Sequence, residues 1–287
     1  MNKQRPNPLN ELEFTYYAVS LPASLKQVRI VPTSDIHFGN PSCSLKHLDK
    51  HIEYIKNNHD VYTFLNGDMI ECVTKNSKGE IHKQAGSPGK QRDFIIKKFE
   101  PIKNKVLGVT QGNHEERIED IDVAGDIAKA LGCPYRAEGM LLKISFGSGN
   151  SSHPNKPYVY WGYFTHGYGG ARTKSAKAVK AERLAYWMHA DFYVMSHDHV
   201  VNVAPDIYLL PDPRTRPEKV YDDVNHTWEE SGFTVGKLQA HRKMLIKSNA
   251  FLKWGGYAEK GGFPPSDLST PLIILDGTNQ KRVRVEV

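Results

Sequence analysis

The chain has 287 residues, of which 39% are apolar and 24% charged, with a formal net charge of +6 and a pI near 9.0. That is the balance of a globular protein with a real core, and no apolar run is long enough for a transmembrane helix. Met1 to Glu11 is polar and lacks the apolar centre of a secretion signal, so a cytoplasmic protein with no membrane partner is the expectation. The mild basic excess suits an anionic substrate such as a phosphate. Solvated surface lysine is its usual origin, however, and charge alone does not establish nucleic-acid binding. Cys43, Cys72 and Cys133 are scattered and follow no metal-knuckle spacing, which reads as reduced thiols.

Elements follow from periodicity. Phe14 to Leu21 and Gln27 to Pro32 are rich in Val, Ile and Tyr and predict strands. Ser44 to Asn58 carries Leu45, Leu48, Ile52 and Ile55 at three- and four-residue spacing, a helix with Ser44 as its N-cap. Val61 to Leu65 reads as a buried strand stopping at Asn66-Gly67, and Lys105 to Thr110 repeats the pattern before Gly112. Glu115 to Leu131 predicts a helix stopped by Gly132 and Pro134. Tyr158 to Thr165 and Phe192 to Met195 read as strands, with a helix over Ser175 to His189 between them. Val73 to Arg92, rich in Lys, Gly and Ser, and Leu210 to Val235, with Pro211, Pro213 and Pro217, read as long loops of functional interest. The tail, Pro271 to Val287, reads as two strands joined at Asp276-Gly277. With no repeat and no linker, the expectation is one α/β domain over 1–287. Its motif core spans about 27–210, and C-terminal strands within 240–287 complete the sheet.

Five short clusters of polar residues fall where strands end: Ser34-Asp35-Ile36-His37, Asn66-Gly67-Asp68, Gly112-Asn113-His114-Glu115, Thr165-His166-Gly167 and Ser196-His197-Asp198-His199. In an open α/β sheet the carboxyl ends of strands share one crevice, so the clusters can converge. Asp35 and His37, like His197 and His199, are two residues apart and share a side on extended backbone. Gly67 permits a tight turn before Asp68, whose two carboxylate oxygens can bridge two cations. Asn113 offers a neutral carbonyl ligand, and an imidazole such as His114 can give a proton to a leaving alkoxide. Each cluster alone is an ordinary turn or loop. In this order they supply oxygen and imidazole ligands for two metals, the apparatus of a hydrolase acting on phosphate esters.

The ordered set resembles the calcineurin-like metallophosphoesterase superfamily, whose pattern is D-x-H, G-D, G-N-H-[DE], H and G-H-x-H, over Asp35 to His199. The resemblance implies a four-layer α/β/β/α sandwich with mixed sheets. It implies Asp35, His37, Asp68 and His199 as ligands of one metal, and Asp68, Asn113, His166 and His197 as ligands of a second, with Asp68 as bridge. It implies His114 as the catalytic histidine and a water or hydroxide shared by the metals as the nucleophile. Two divalent ions are expected, Mn²⁺ first, with Fe or Zn²⁺ as alternatives, since the ligand set does not choose among them. Ser196 stands where the family has Gly, a small-for-small exchange expected to be tolerated. The run Lys247 to Lys253 with Trp254 to Ala258 is similar to segments of phage and prophage members.

Arg172, with Lys174 beside it, is a candidate for gripping substrate phosphate, and Arg117 is a second of the same kind. Among activities, phosphodiesterase or nuclease is favoured on the basic balance and the Lys/Arg-bearing loops, with a phosphate ester or nucleic acid as partner. The alternatives are a phosphomonoesterase, such as a protein phosphatase or nucleotidase, and a non-catalytic scaffold, against which the full ligand set argues.

Overall fold

The computed structural model describes residues 14–74, 81–149, 156–171, 173–214, 216, 219–230, 235–255, 259, 262, 264–265, 267–278 and 280–287. In chain order the first elements are β1 (Tyr17–Ser20), β2 (Gln27–Thr33), α1 (Leu45–Asn57), β3 (Val61–Asn66), α2 (Pro88–Phe99), β4 (Val106–Thr110) and α3 (Val123–Leu131). Then come β5 (Met140–Phe146), β6 (Tyr158–Thr165), α4 (Lys174–Trp187), β7 (Phe192–Met195) and β8 (Asn202–Pro211). The last are β9 (Lys219–Asp222), β10 (Thr227–Glu230), β11 (Leu238–Lys247), β12 (Leu272–Asp276) and β13 (Val283–Glu286).

The chain forms two compact units: the residues up to Ala204 with those from Met244 onward, and Pro205–Lys243. In the first, one mixed sheet has the order β13-β12-β2-β3-β4, with β2, β3 and β4 parallel and β12 antiparallel to β2. The other runs β1-β5-β6-β7-β11, with β6, β7 and the end of β11 parallel. Alternate residues of the two sheets face each other, so Ile30, Phe64 and Leu107 pack with Leu142, Phe164 and Phe192 in one apolar layer. The rings of Phe64 and Phe164 stack across it with centroids 4.0 Å apart. On the far side of the first sheet, α1, α2 and α3 bury Ile52, Ile95 and Ile127 against Leu65 and Val109. On the far side of the second, Trp187 of α4 meets Tyr163 of β6 edge to face at 5.4 Å. The layers are therefore α/β/β/α, as the resemblance implied. The second unit holds the antiparallel hairpin β9–β10 and most of β8 beside β11.

Several local expectations change. Ser44 sits at the N-cap of α1 without a side-chain capping bond; its backbone N–H is held by Phe251 O at 2.7 Å instead. The helix expected from Glu115 begins only at Val123, capped by Asp122, and ends at Gly132 with φ 69°. Glu115 to Arg117 form a short 3₁₀ turn, because the Glu115 carboxylate is drawn onto backbone N–H groups of the neighbouring strand end. The end of the 73–92 stretch is helical: Ser87 accepts from Lys90 N and Pro88 opens α2, a start signal hidden by the polar composition. The 210–235 stretch contains β9 and β10. Asp276-Gly277 begins the β12–β13 connection without being a two-residue turn, since Leu275 pairs with Val283. The three cysteines are free. No described helix is long and apolar enough to cross a membrane.

Candidate metal centre

All five clusters lie immediately beyond strand ends: Asp35 after β2, Asp68 after β3, Asn113 after β4, His166 after β6 and His197 after β7. The first three belong to one sheet and the last two to the other, so the crevice forms where both sheets end. Asn66 ties the two together. Its Nδ2 donates to Thr165 O at 2.8 Å and to Ser196 Oγ at 2.6 Å, while its Oδ1 accepts from Thr110 Oγ1 at 2.9 Å. Ser196 continues through Ser248 to Ser34 in two hydroxyl contacts of 2.8 Å. Ser196 is therefore a working link between the sheets.

The pairs Asp35/His37 and His197/His199 converge by a different route from the one their spacing suggests. None of the four is extended: φ is 50° at Asp35, 48° at His37, 71° at His197 and 52° at His199. Asp68 has φ 52°, so five of the seven non-glycine residues with left-handed backbone among the described residues are proposed ligands. Such conformations cost of order 1–3 kcal/mol each and persist where surrounding structure enforces them. Two glycines make room. A Cβ on Gly67 would lie 2.6 Å from His166 Nδ1, and one on Gly112 would lie 2.2 Å from Asp68 N.

The ligand atoms gather in two groups around Asp68. Asp35, His37 and His199 offer atoms within 4.8 Å of one another, as do Asp68, His166 and His197. Asp68 Oδ2 lies 3.2 Å from His166 Nε2 and 3.7 Å from His37 Nε2, between the groups. Asn113 Oδ1 is 3.3 Å from His166 Nε2 and joins the second group. Outer partners fix the rings. His166 Nδ1 donates to Asn66 O at 2.9 Å, His197 Nε2 to Gly169 O at 2.9 Å, and His37 Nδ1 to Glu71 Oε2 at 3.1 Å. Each ring thus turns its other nitrogen inward. Inside, His37 Nε2 faces His199 Nε2 at 3.2 Å and His166 Nε2 faces His197 Nδ1 at 3.3 Å. Asp35 Oδ1 is buried with no hydrogen-bond partner, although His199 Nε2 is 3.1 Å away. Imidazole nitrogens and carboxylate oxygens that converge this closely, one of the oxygens without a hydrogen-bond partner, fit cations: the residues suit two divalent ions.

Electrostatics point the same way. Burial disfavours charge on Asp35, yet His199 holds its pKa at about 2. Burial likewise opposes charge on Asp68, and His166 overcomes it, keeping Asp68 well below the usual carboxylate range. Burial lowers the His166 pKa, but Asp68 lifts it to about 10. The inward positions demand positive charge, which a proton supplies to His166 here and a metal ion can supply in its place.

His114 stands beside this set. Its Nδ1 donates to Glu71 O at 2.6 Å and its Nε2 lies 3.9 Å from Asp68 Oδ2. Burial, and then His37, push its pKa down to about 4, so the free site holds it neutral. Arg117 backs it, donating to Glu71 O at 3.2 Å with Nη1 3.1 Å from His114 Nδ1. Arg172 lies outside the described residues. Lys174, at the start of α4, lines a hollow beside the centre.

Several supporting residues had no role assigned from the sequence. Glu71 orients His37, a role visible only once the loop after β3 folds back. The Glu115 carboxylate accepts from Asp68 N at 2.9 Å, Met69 N at 2.6 Å, Ile70 N at 3.2 Å and Gly112 N at 2.9 Å, bracing two clusters. The sequence marked Glu115 as a family position without its task. Asp198, between two proposed ligands, accepts from Lys180 Nζ at 2.8 Å and Lys247 Nζ at 2.5 Å. Lys177 donates to Asp198 O and Lys247 to Ser196 O, each at 3.0 Å. These three buried lysines clamp the 196–199 turn.

No protein-family model and no curated protein matches the chain. Among solved structures it is similar to the calcineurin-like phosphoesterase YfkN from Bacillus subtilis, at 13% identity and TM-score 0.41, covering 91% of this chain and 90% of that one. It is also similar to a conserved uncharacterized protein, a predicted phosphoesterase, from Streptococcus pneumoniae, at 12% identity and TM-score 0.36 over 88% and 86% of the two chains. A metallophosphoesterase from Sphaerobacter thermophilus matches at 13% identity and TM-score 0.32 over 87% and 84%.

Proposed function

We propose that this protein is a calcineurin-like metallophosphoesterase, a hydrolase of phosphate esters that works with two divalent cations. The observation that carries the reading is the position of Asp68 Oδ2 between two groups of inward-turned ligand atoms, 3.7 Å from His37 Nε2 and 3.2 Å from His166 Nε2. Asp35, His37, Asp68 and His199 would hold one ion, and Asp68, Asn113, His166 and His197 the other. When bound, such a pair activates water and neutralises charge on phosphoryl oxygens. The chain supplies the rest. Glu71, Asn66 and Gly169 aim the imidazoles, and Glu115 holds the strand ends at the spacing the bridge needs. His114 Nε2, with Nδ1 committed to Glu71 O, faces the site for proton transfer. Neutral in the free site, it gives a proton to a leaving alkoxide only after the anionic substrate raises its affinity for one.

Within this class we favour phosphodiesterase or nuclease activity, on the +6 net charge; phosphomonoesterase is the second reading. Mixed oxygen and nitrogen ligation suits Mn²⁺, with Fe or Zn²⁺ as alternatives. The test is hydrolysis of bis-p-nitrophenyl phosphate against p-nitrophenyl phosphate with Mn²⁺ present; turnover of the monoester alone removes the diesterase reading. His114→Ala is expected to lose most activity and keep its metal, and Asp68→Ala to lose both. Full activity in either variant, or failure of the purified protein to bind any transition metal, defeats the assignment.

A further inference from the structure

Charge is out of balance behind the 196–199 turn. Lys177, Lys180 and Lys247 are 6%, 8% and 1% exposed, and the carboxylate they surround, Asp198, is 7% exposed. Lys180 and Lys247 take its two oxygens, at 2.8 Å and 2.5 Å. Lys177 Nζ is left with a main-chain partner, Asp198 O at 3.0 Å, and no carboxylate within ion-pair distance among the described residues. Asp35, the next carboxylate felt by Lys247, sits against His199 instead. Buried ammonium groups are ordinarily paired, so the excess positive charge held here calls for an anion. Burial lowers the Lys177 pKa and Asp198 offsets that only in part, so an arriving anion favours the charged amine. Lys177 is also where this cluster meets solvent. It lines a hollow of about 460 Å³ whose wall includes His197 and His199, so the hollow adjoins the metal centre. The other lysines and carboxylates of that wall are Lys174, Lys253, Asp198 and Asp267. Asp198 is already matched by Lys180 and Lys247, which stand behind the wall. Asp267 acts on Lys174 and accepts from Ser269 N at 2.8 Å. That leaves Lys177 and Lys253 without a carboxylate of their own, in a space of small-molecule size.

We propose that this hollow is a subsite for a second phosphate of the substrate, held by Lys177 and Lys253 with Lys174 beside them, while the ester phosphate occupies the metal centre. The proposal rests on the phosphoesterase reading above and narrows it to substrates that carry two phosphates. The test is nitrophenolate release, with Mn²⁺ present, from three esters that break the same bond. They are thymidine 5′-(p-nitrophenyl phosphate), the same ester bearing a 3′-phosphate, and the same ester extended at its 3′ oxygen by one nucleotide. The readout is kcat/KM of each phosphate-bearing ester over that of the parent, a ratio in which a general change at the metal centre cancels. In wild type the 3′-phosphate is expected to give a ratio of about ten, the worth of one charge-assisted contact, and the ratio should fall as salt is raised. Lys177→Met, which leaves Asp198 both of its cations, and Lys253→Gln, an exposed exchange, should each lower the ratio about threefold or more. Metal content and thermal midpoint are measured for each variant. An enhancement shared by the extended ester identifies the ligand as the neighbouring phosphate of a nucleic-acid strand, and one confined to the 3′-phosphate identifies a terminal phosphate. A ratio near one in wild type, or a ratio that both variants leave unchanged, overturns the subsite while leaving the phosphoesterase reading intact. So does turnover of p-nitrophenyl phosphate with none of the three esters cleaved. A protein that cleaves none of the four overturns both.

Discussion

Asp68 and Glu115 are both buried carboxylates, and their surroundings give them opposite tasks. Asp68 has imidazoles around it and stays ionised well below the usual range. At Glu115 burial, and then Asp68, raise the pKa, and four backbone N–H groups hold the carboxylate. Glu115→Gln turns an amide donor toward those donors. It is expected to cost about 3 kcal/mol, from charge-assisted bonds lost and N–H groups left unpaired, read as a lower urea midpoint, and to weaken Mn²⁺ binding. A change under 0.5 kcal/mol, roughly the range of a neutral surface substitution, would show that Glu115 braces nothing. His51 gives a pH prediction. Thr63 Oγ1 donates to Val31 O, so Thr33 donates to Thr63 and His51 Nε2 must donate to Thr33, at 2.7 Å. Burial, and then His47, lower the His51 pKa to about 3. The unfolded chain binds this proton near pH 6.5 and the folded one does not, so the contribution is whole above pH 6.5 and is lost as pH falls toward 3. His51→Gln is expected to flatten that acid limb by up to about 1.4 kcal/mol per pH unit, measured by urea unfolding from pH 7 to 4. An unchanged slope would mean that His51 takes up its proton in the folded state as well.

At the scale of elements, the residue pattern located the strand ends well, because apolar runs stop where polar clusters begin. It misjudged how the ends turn. The i, i+2 pairs suggested pleated backbone, whereas Asp35, His37, His197 and His199 are left-handed. Nothing in Asp-x-His spacing announces this; it comes from contacts made by other elements. At the 196–199 turn those contacts are Lys177 and Lys180 of α4 and Lys247 of β11. Lys247→Met leaves the buried Asp198 with one cation in place of two. A loss of about 3–5 kcal/mol is expected, as for breaking a buried pair, with weaker metal binding through His197 and His199. Lys247→Arg should recover part of the metal affinity. Equal metal affinity in Lys247→Met and wild type would remove the clamp from the account of the site. Nothing in the sequence marks these lysines, since a lysine's burial depends on which carboxylate the fold brings to it.

For the whole molecule, two sheets ending at one crevice make stability depend on ligation. Inward nitrogens and the orphaned Asp35 oxygen are unfavourable together without a cation. Binding to the folded state alone stabilises by about 2.7 kcal/mol at a hundredfold excess over Kd. Chelation should therefore lower the thermal midpoint by roughly 5 °C in a chain of this size, and Mn²⁺ should restore it. A midpoint indifferent to chelator and metal would argue against a loaded site. The second unit, Pro205–Lys243, was legible only as prolines and charges; its boundaries fall inside β8 and β11, where composition does not change. By itself the sequence determined which carboxylates, amides and imidazoles stand at strand ends, since side-chain type and apolar periodicity are local properties. The tertiary structure decided which ligands share a group, what orients them and what lies beside them. Asp68 meets both His37 and His166, and Glu71 reaches His37, only because two sheets close on one another.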